Sequence, residues 1–239
     1  DEQLKISIKY NVEKGEKYKV NKITISGNTR TRDKVIRREI KIKEQENYSG
    51  TKIKKSKSFI NRRNYFEFVN IKEVPSKDKP NYLDLEVEVE EKPTGYFSIQ
   101  GGYSSVEALL LGVQIQENNL FGYGKSLGAS VTVGTVSQNF LIDYFDPYFL
   151  DTSYQFGLQL FKREYQYIDY DRARWGGVLQ FGKELNTWTF ARLKYRFESI
   201  KVDDLNSVAT EVLQESKDKI SSVTLGLTYD TRDNFMDPS

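Results

Sequence analysis

The sequence has no histidine and no cysteine, and only one methionine and five prolines among its 239 residues. Without cysteine there can be no disulfide framework and no thiolate zinc or iron–sulfur site. Without histidine the commonest metal ligand and the commonest general base are missing. Histidine-dependent catalysis is therefore excluded for this chain, and we expect no cofactor, no metal site and no enzymatic activity.

Long apolar runs are also lacking. No stretch reaches the roughly 18 apolar residues of a transmembrane helix, which leaves a transmembrane β-barrel as the way this chain could cross a membrane. The net charge is only +2, so we expect no nucleic-acid partner. Asp1 does not begin a signal peptide, and the chain ends at Asp237-Pro238-Ser239, which resembles a turn. We therefore expect a piece of a longer protein.

Charge and aromatic content divide the chain near Lys92-Pro93. Residues 1–92 hold 23 Lys and Arg against 16 Asp and Glu, whereas residues 93–239 hold 13 against 18. Aromatic residues move the other way, with 8 in the first part and 24 in the second, and glycines follow them, with 3 and 13. This change of composition predicts a domain boundary at Pro93-Thr94-Gly95.

The first part has the pattern of a small α+β module. Residues 82–91 alternate strictly between apolar and acidic side chains, which is typical of a strand with one buried face. Thr31 can cap a helix with Val35, Ile36 and Ile40 on its apolar side, and Asn64 stands where a left-handed helix cap is expected. The predicted elements are strands at 4–12 and 20–25, a helix after Thr31, a helix at 51–63, and strands at 67–74 and 82–91.

The second part consists of about eight segments near the roughly 9–11 residues that a tilted membrane strand needs. Each has an apolar face and a face of small, polar or charged residues. The clearest is 108–116, and the others include 96–104, 126–135, 153–161, 172–182, 188–197 and 222–229.

A soluble β-sandwich also alternates in this way, so two interpretations compete. The inward positions here are small or charged instead of apolar, aromatics gather near the strand ends, and short and long connections alternate. The short ones are expected at 118–125, 146–152 and 184–187, and a long polar one at 199–219. These features favour membrane strands whose apolar side faces lipid and whose other side faces a water-filled lumen.

Several motifs resemble known families. The segments VNKITISGNTRT (20–31), VIRREI (35–40) and YFEFV (65–69) resemble a polypeptide-transport-associated (POTRA) repeat. The segment VEVEEKPTG (87–95) resembles the hinge that joins the last such repeat to the barrel of the outer-membrane barrel-assembly factors. Further matches to the turns of that barrel are NNLFGYG (118–124), YFDPYF (144–149) and YDTRDN (229–234).

The resemblance implies an architecture and a location. Residues 1–14 would be the tail strand of a preceding repeat, 15–92 a membrane-proximal POTRA domain of β-α-α-β-β order, and 93–239 the first half of an antiparallel transmembrane β-barrel. That half would contribute about eight of sixteen strands. The barrel would lie in the bacterial outer membrane, in contact with its lipid, with the POTRA domain in the periplasm.

The resemblance also implies a function: folding and inserting nascent barrel proteins by strand templating at a lateral gate. The partners would be unfolded outer-membrane barrel clients and accessory assembly lipoproteins. The gate is the first barrel strand, where Gly101 and Gly102 either weaken the strand so that it opens or accommodate curvature. Its residues are Tyr96, Phe97, Ser98, Ile99, Gln100, Gly101, Gly102 and Tyr103.

Other candidates remain open at this stage. Arg37, Arg38 and Glu39 are the candidate partner-binding residues of the POTRA helix, although a solvated helix face has the same pattern. Five cations are candidates for lining the lumen, with ion selectivity as a lesser hypothesis: Arg172, Arg174, Arg192, Lys194 and Arg196. Alternative functions are a related translocator of the two-partner secretion or autotransporter-assembly type, a membrane hydrolase, and a soluble β-rich binding protein.

Overall fold

The computed structural model describes residues 16–186, 188–206, 210 and 214–230. The predicted tail strand at 1–14 lies outside these residues. The described residues separate into two compact units, one containing those up to Thr29 with Asp33–Glu91 and the other containing those from Lys92 onward together with Arg30–Arg32. No helix in the described part of the chain is long and apolar enough to cross a membrane.

The first unit contains three strands and two helices, in the predicted order. They are β1 (Lys19–Ser26), α1 (Asp33–Arg37), α2 (Gly50–Arg62), β2 (Phe66–Pro75) and β3 (Tyr82–Glu91). The sheet order is β1–β3–β2, with β1 parallel and β2 antiparallel to β3. Asn64 has φ 60°, which confirms the predicted left-handed cap.

One hydrophobic core holds this unit together. The alternating residues Leu85, Val87 and Val89 of β3 are buried against the helices, together with Ile36 of α1 and Ile60 of α2. Removing these apolar side chains from water is the main favourable term in the stability of a small module. The acidic residues between them in β3 are left on the other face of the sheet, as the alternation predicts.

The second unit is an eight-stranded antiparallel sheet in which every strand pairs with its neighbours in the sequence, in the order β4 to β11. The sheet includes the strand 137–146, which the sequence pattern did not single out. The strands are β4 (Gly95–Ser104), β5 (Ala108–Glu117), β6 (Ser126–Gly134), β7 (Ser137–Asp146), β8 (Tyr154–Gln166), β9 (Asp171–Asn186), β10 (Thr189–Asp203) and β11 (Ser216–Tyr229).

The register places most of the apolar side chains on one surface, which we call the apolar face. Val113 lies between Ile99 and Val131 of the neighbouring strands, and Leu193 lies between Phe181 and Leu225. The opposite surface, which we call the polar face, carries mainly glycine, hydroxyl, amide and charged side chains, with a few apolar ones such as Leu141, Phe161 and Val178.

This sheet has no hydrophobic core of its own. Among the described residues of β4–β11, Phe161 is the one buried hydrophobic residue. Large apolar side chains such as Ile99, Val223 and Leu225 are about 70% exposed, at 71%, 69% and 73%. A soluble sandwich would bury this face against a second sheet, so the exposed apolar face supports the membrane interpretation.

The later strands are longer than expected. β8 to β11 have 13 to 16 residues, and β10 and β11 take up the two ends of the polar stretch at 199–219 that was expected to be a loop. That expectation is wrong for 199–203 and 216–219, because the β10–β11 ladder continues through Lys201↔Lys217 and Val202↔Ser216. The short connections after β5 and β7 lie where the sequence predicts them, and each contains a 3₁₀ turn.

Candidate client-strand gate and partner-binding residues

β4 forms one edge of the eight-stranded sheet. It pairs with β5 from Gly95↔Glu117 to Ser104↔Ala108, and its other edge has no strand partner among the described residues. Every residue of β4 except Ser98 is exposed. An unpaired edge of this kind presents a row of backbone N–H and C=O groups that can bind another strand.

The eight predicted gate residues all lie in β4 and divide between its two faces. Phe97, Ile99 and Tyr103 have their cross-strand partners Ile115, Val113 and Leu109 on the apolar face. Tyr96, Ser98 and Gln100 lie on the polar face, with Gly101 and Gly102 following on alternate faces. A strand that paired with β4 would therefore extend both faces of the sheet, with alternate side chains on the apolar face and on the polar face.

Hydrogen bonds hold β4 at the end of the sheet where this strand begins, which we call the lower end. The carbonyl of Thr94 accepts from the backbone N–H of Asn118 at 3.2 Å and from its Nδ2 at 3.0 Å. The Thr94 hydroxyl donates to Glu117 Oε1 at 2.5 Å, and Gln114 Nε2 donates to the Tyr96 hydroxyl at 3.1 Å. Sequence reasoning missed this anchor; the available signal was the cluster of polar residues that ends the β5 pattern.

Near the upper end of β4, where Ser104 Oγ accepts from the backbone N–H of Glu107 at 2.9 Å, Gly101 and Gly102 have no side chains that could add further contacts. A Cβ at Gly102 would meet no heavy atom within 4 Å, and one at Gly101 would meet Leu111 Cδ2 at an ordinary 3.8 Å. Neither glycine has a positive φ. Space and backbone geometry therefore require glycine at neither position. This supports the strand-weakening explanation, because glycine lowers the stability of a strand interior.

The three candidate partner-binding residues are not equivalent. Glu39 is 1% exposed, and its Oε1 accepts from Arg63 Nε at 2.8 Å and Nη2 at 2.7 Å. The Arg38 side chain is 15% exposed and lies 3.8 Å from the same carboxylate. Glu39 is therefore an internal counter-ion and does not lie on a contact surface.

Arg37 is the accessible member of this group, with 44% of its side chain exposed. Its guanidinium donates to Asp33 Oδ1 at 2.8 Å and to the Ile23 carbonyl at 3.3 Å. The hydrogen bond to the Asp33 carboxylate is the largest cause that raises the pKa of Arg37. The guanidinium is thus fixed in position on the surface, beside the carboxylates of Asp33 and Glu44.

The five cations predicted to line a lumen lie on the polar face of β9 and β10. Arg192, Lys194 and Arg196 alternate with the apolar residues of β10, and Arg172 and Arg174 do so in β9. Glu198 was not singled out from the sequence, yet it is 7% exposed and lies 3.6 Å from both Arg174 and Arg196. No cluster of metal-ligating side chains forms within the part of the chain described.

A β-α-α-β-β module followed by an antiparallel sheet with an exposed apolar face defines a POTRA-containing outer-membrane β-barrel protein. Comparison with family models agrees with this class. A model described as "Omp85 superfamily domain" matches residues 119–239, and one described as "Surface antigen variable number repeat" (POTRA) matches residues 18–92. The chain belongs to the Omp85 superfamily.

A curated relative and two solved structures are similar over most of the chain. "Outer membrane protein assembly factor BamA" of Nitratidesulfovibrio vulgaris is 28% identical over 241 residues, which cover 100% of this chain and 30% of the relative. The chain thus spans about a third of that protein's length.

The structure "BamA from Haemophilus ducreyi lacking POTRA domains 1-3" has a TM-score of 0.71 at 23% identity, over 94% of this chain and 46% of that one. "CdiB from Acinetobacter baumannii" has a TM-score of 0.60 at 15% identity, over 88% and 42%. At these identities the two structures establish the fold alone.

Fold and family together give the location. The chain is part of a bacterial outer-membrane protein whose POTRA repeat lies in the periplasm. Its apolar face contacts lipid and its polar face lines the barrel lumen.

Proposed function

We propose that this protein folds and inserts nascent β-barrel proteins into the outer membrane, with β4 as the edge on which a client strand is templated. Strand edges that enter hydrocarbon unpaired are costly, because lipid cannot satisfy their backbone groups. An edge that is already in the membrane can pair with an incoming strand by β-augmentation and remove that cost.

The single observation that carries the proposal is the asymmetry of β4. Its lower end is anchored through Thr94, Glu117 and Asn118, whereas its upper end carries Gly101-Gly102 at positions where an alanine would fit. A strand of this kind is held in place where it begins, while its glycine-containing part bends more readily to receive a client strand. No catalytic step and no cofactor enter this mechanism.

The POTRA module contributes a second contact in this proposal. Arg37 holds its half-exposed guanidinium in a fixed position on α1, and we assign it to the docking of accessory assembly lipoproteins or clients. Glu39, because it is buried, supports that surface from inside and does not touch the partner.

The decisive experiment strengthens β4 without disturbing its packing. Replacing a strand glycine by alanine stabilises the strand by about 0.5–1 kcal/mol. We expect Gly102→Ala to slow the folding of an unfolded barrel client about threefold. The pair Gly101→Ala and Gly102→Ala should slow it about tenfold, since 1.4 kcal/mol is tenfold in a population. The measurement is the rate of client folding in proteoliposomes that contain the intact protein.

Gly226→Ala is the matched control. Gly226 lies on the polar face of β11, the strand at the other end of the described sheet, and the nearest atom to its added Cβ would be the Arg192 carbonyl oxygen at 3.9 Å. This variant should leave the client rate unchanged. An unchanged or faster rate in the β4 double variant would contradict the proposal. So would the wild-type protein giving no acceleration over empty liposomes, as expected of a translocator dedicated to one secreted partner.

A further inference from the structure

A row of three cations on the polar face of β10 has no directly opposed counter-ion. Arg192, Lys194 and Arg196 occupy alternate positions of the strand and so project from the same face. Their neighbours in both flanking strands are uncharged. These are Gly182, Gln180 and Val178 in β9, and Gly226, Thr224 and Ser222 in β11.

The carboxylates near this row are few and partly engaged. Glu198, the next polar-face residue of β10, is shared between Arg196 and Arg174 at 3.6 Å each. Glu184 is opposite Phe190 at the lower end of the strands, where it and Asp230 line one cleft with Arg192, and Asp218 is opposite Ile200 at the upper end. Like charges on one strand face repel each other. The row is therefore a surface on which an anionic ligand would be stabilised.

A cleft runs beside the row. It has a volume of about 510 Å³, and its walls include Lys194, Arg196, Gln159, Gln180, Ser222 and Thr224. The amides and hydroxyls can donate hydrogen bonds to carboxylate oxygens, which strengthens the binding of an anion beyond charge alone. Asp143 also lines the cleft, but it lies on β7, three strands away from the cationic row of β10.

We propose that this cationic row binds an extended acidic polypeptide segment whose carboxylates stand at alternate positions. Residues i and i+2 of an extended chain lie about 6.6 Å apart on one face. The cations of β10 repeat with the same period, so the side chains of such a segment can meet Arg192, Lys194 and Arg196 one to one. This site lies far from β4 in the strand order and does not depend on the gate.

Two peptides of equal composition test the spacing. The intact protein is titrated, in detergent, with a fluorescent Ser-Glu repeat peptide and with an isomer that has all its glutamates in one block. We expect the alternating peptide to bind at least fivefold more tightly by anisotropy. Lys194→Gln with Arg196→Gln should weaken its binding roughly tenfold, because two charge-assisted contacts are lost.

Lys201→Gln with Lys217→Gln removes the same charge from the other face of β10 and β11, and it should change binding less than twofold. Thr224→Glu is a second variant that keeps both cations. It places a carboxylate opposite Lys194, and it should also weaken the alternating peptide. Equal binding of the two isomers, or equal losses in the two double variants, would overturn the proposal. Displacement of the peptide by equimolar inorganic phosphate would also overturn it, since the site would then accept any small anion.

Discussion

At position 39 the POTRA module buries a glutamate against the guanidinium of Arg63, 24 residues further along the chain. Both hydrogen bonds from Arg63 reach the same carboxylate oxygen, at 2.8 and 2.7 Å. A buried charge with its partner removed is strongly destabilising, because the remaining charge cannot recover full hydration.

Glu39→Ala should therefore destabilise the module by about 3 kcal/mol, whereas Arg37→Ala should change its stability by less than about 1 kcal/mol. Native-state hydrogen exchange of the β1 and β3 amides in the intact protein measures both effects. Arg37→Ala should instead weaken the binding of accessory lipoproteins in a pull-down. Equal exchange rates in the two variants would contradict this division of roles.

The sequence could not distinguish these neighbours. Arg37, Arg38 and Glu39 form one charged run, and a short run of charges is typical of an exposed helix face. Only the position of Arg63 after α2 shows that Glu39 faces inward, and no local pattern contains that information.

Gly27 lies at a point where the chain after β1 comes very close to the backbone of β3. It follows β1 with φ 85°, and a Cβ there would lie 1.9 Å from the carbonyl oxygen of Val89 in β3. A left-handed backbone and a close approach of two chains both require the absence of a side chain.

Gly27→Ala should destabilise the POTRA module by about 2 kcal/mol or more, since the positive φ alone costs about 1–2 kcal/mol and the contact forces β1 and β3 apart. Gly50→Ala is the control within the same unit, because its added Cβ would meet only the Tyr48 hydroxyl at 3.4 Å. Its effect should stay within about 1 kcal/mol. Hydrogen exchange at the β1–β3 amides separates the two outcomes, and similar protection in both variants would refute the explanation.

The lengths of the barrel strands show where the alternation of apolar and polar residues no longer predicts the structure. The alternation defines β5, β6 and the middle of β8–β11 well, because an apolar face against lipid requires it. Beyond the apolar band the face that carried apolar side chains becomes polar, as at the paired residues Lys201 and Lys217. Backbone pairing between β10 and β11 continues there although the sequence no longer shows the alternation, so only the hydrogen-bonded register of the structure shows where these strands end.

The orientation of the whole sheet in the membrane can be tested at two adjacent residues. Val131 lies on the apolar face between Val113 and Phe140, and Ser130 lies on the polar face between Gln114 and Leu141. Both are near the middle of β6, so they share the same depth. An arginine facing lipid at mid-depth costs about 2–4 kcal/mol, whereas a lumen position tolerates it.

Val131→Arg should therefore lower the stability of the intact protein in lipid vesicles by about 2–4 kcal/mol, and Ser130→Arg by less than about 1 kcal/mol. Urea unfolding followed by tryptophan fluorescence measures both changes. The reverse order of the two effects would mean that the apolar face does not meet lipid.

The sequence by itself determined the division into two parts, the order of the POTRA elements and which side of each main barrel strand is apolar. These follow from local rules, since a lipid-facing strand and a half-buried strand must each alternate. Tertiary structure decided the inward position of Glu39, the close approach at Gly27, the sharing of Glu198 between two arginines, and the open edge of β4. Each of these depends on which distant residues become neighbours, and that is set only when the strands pair and the core closes.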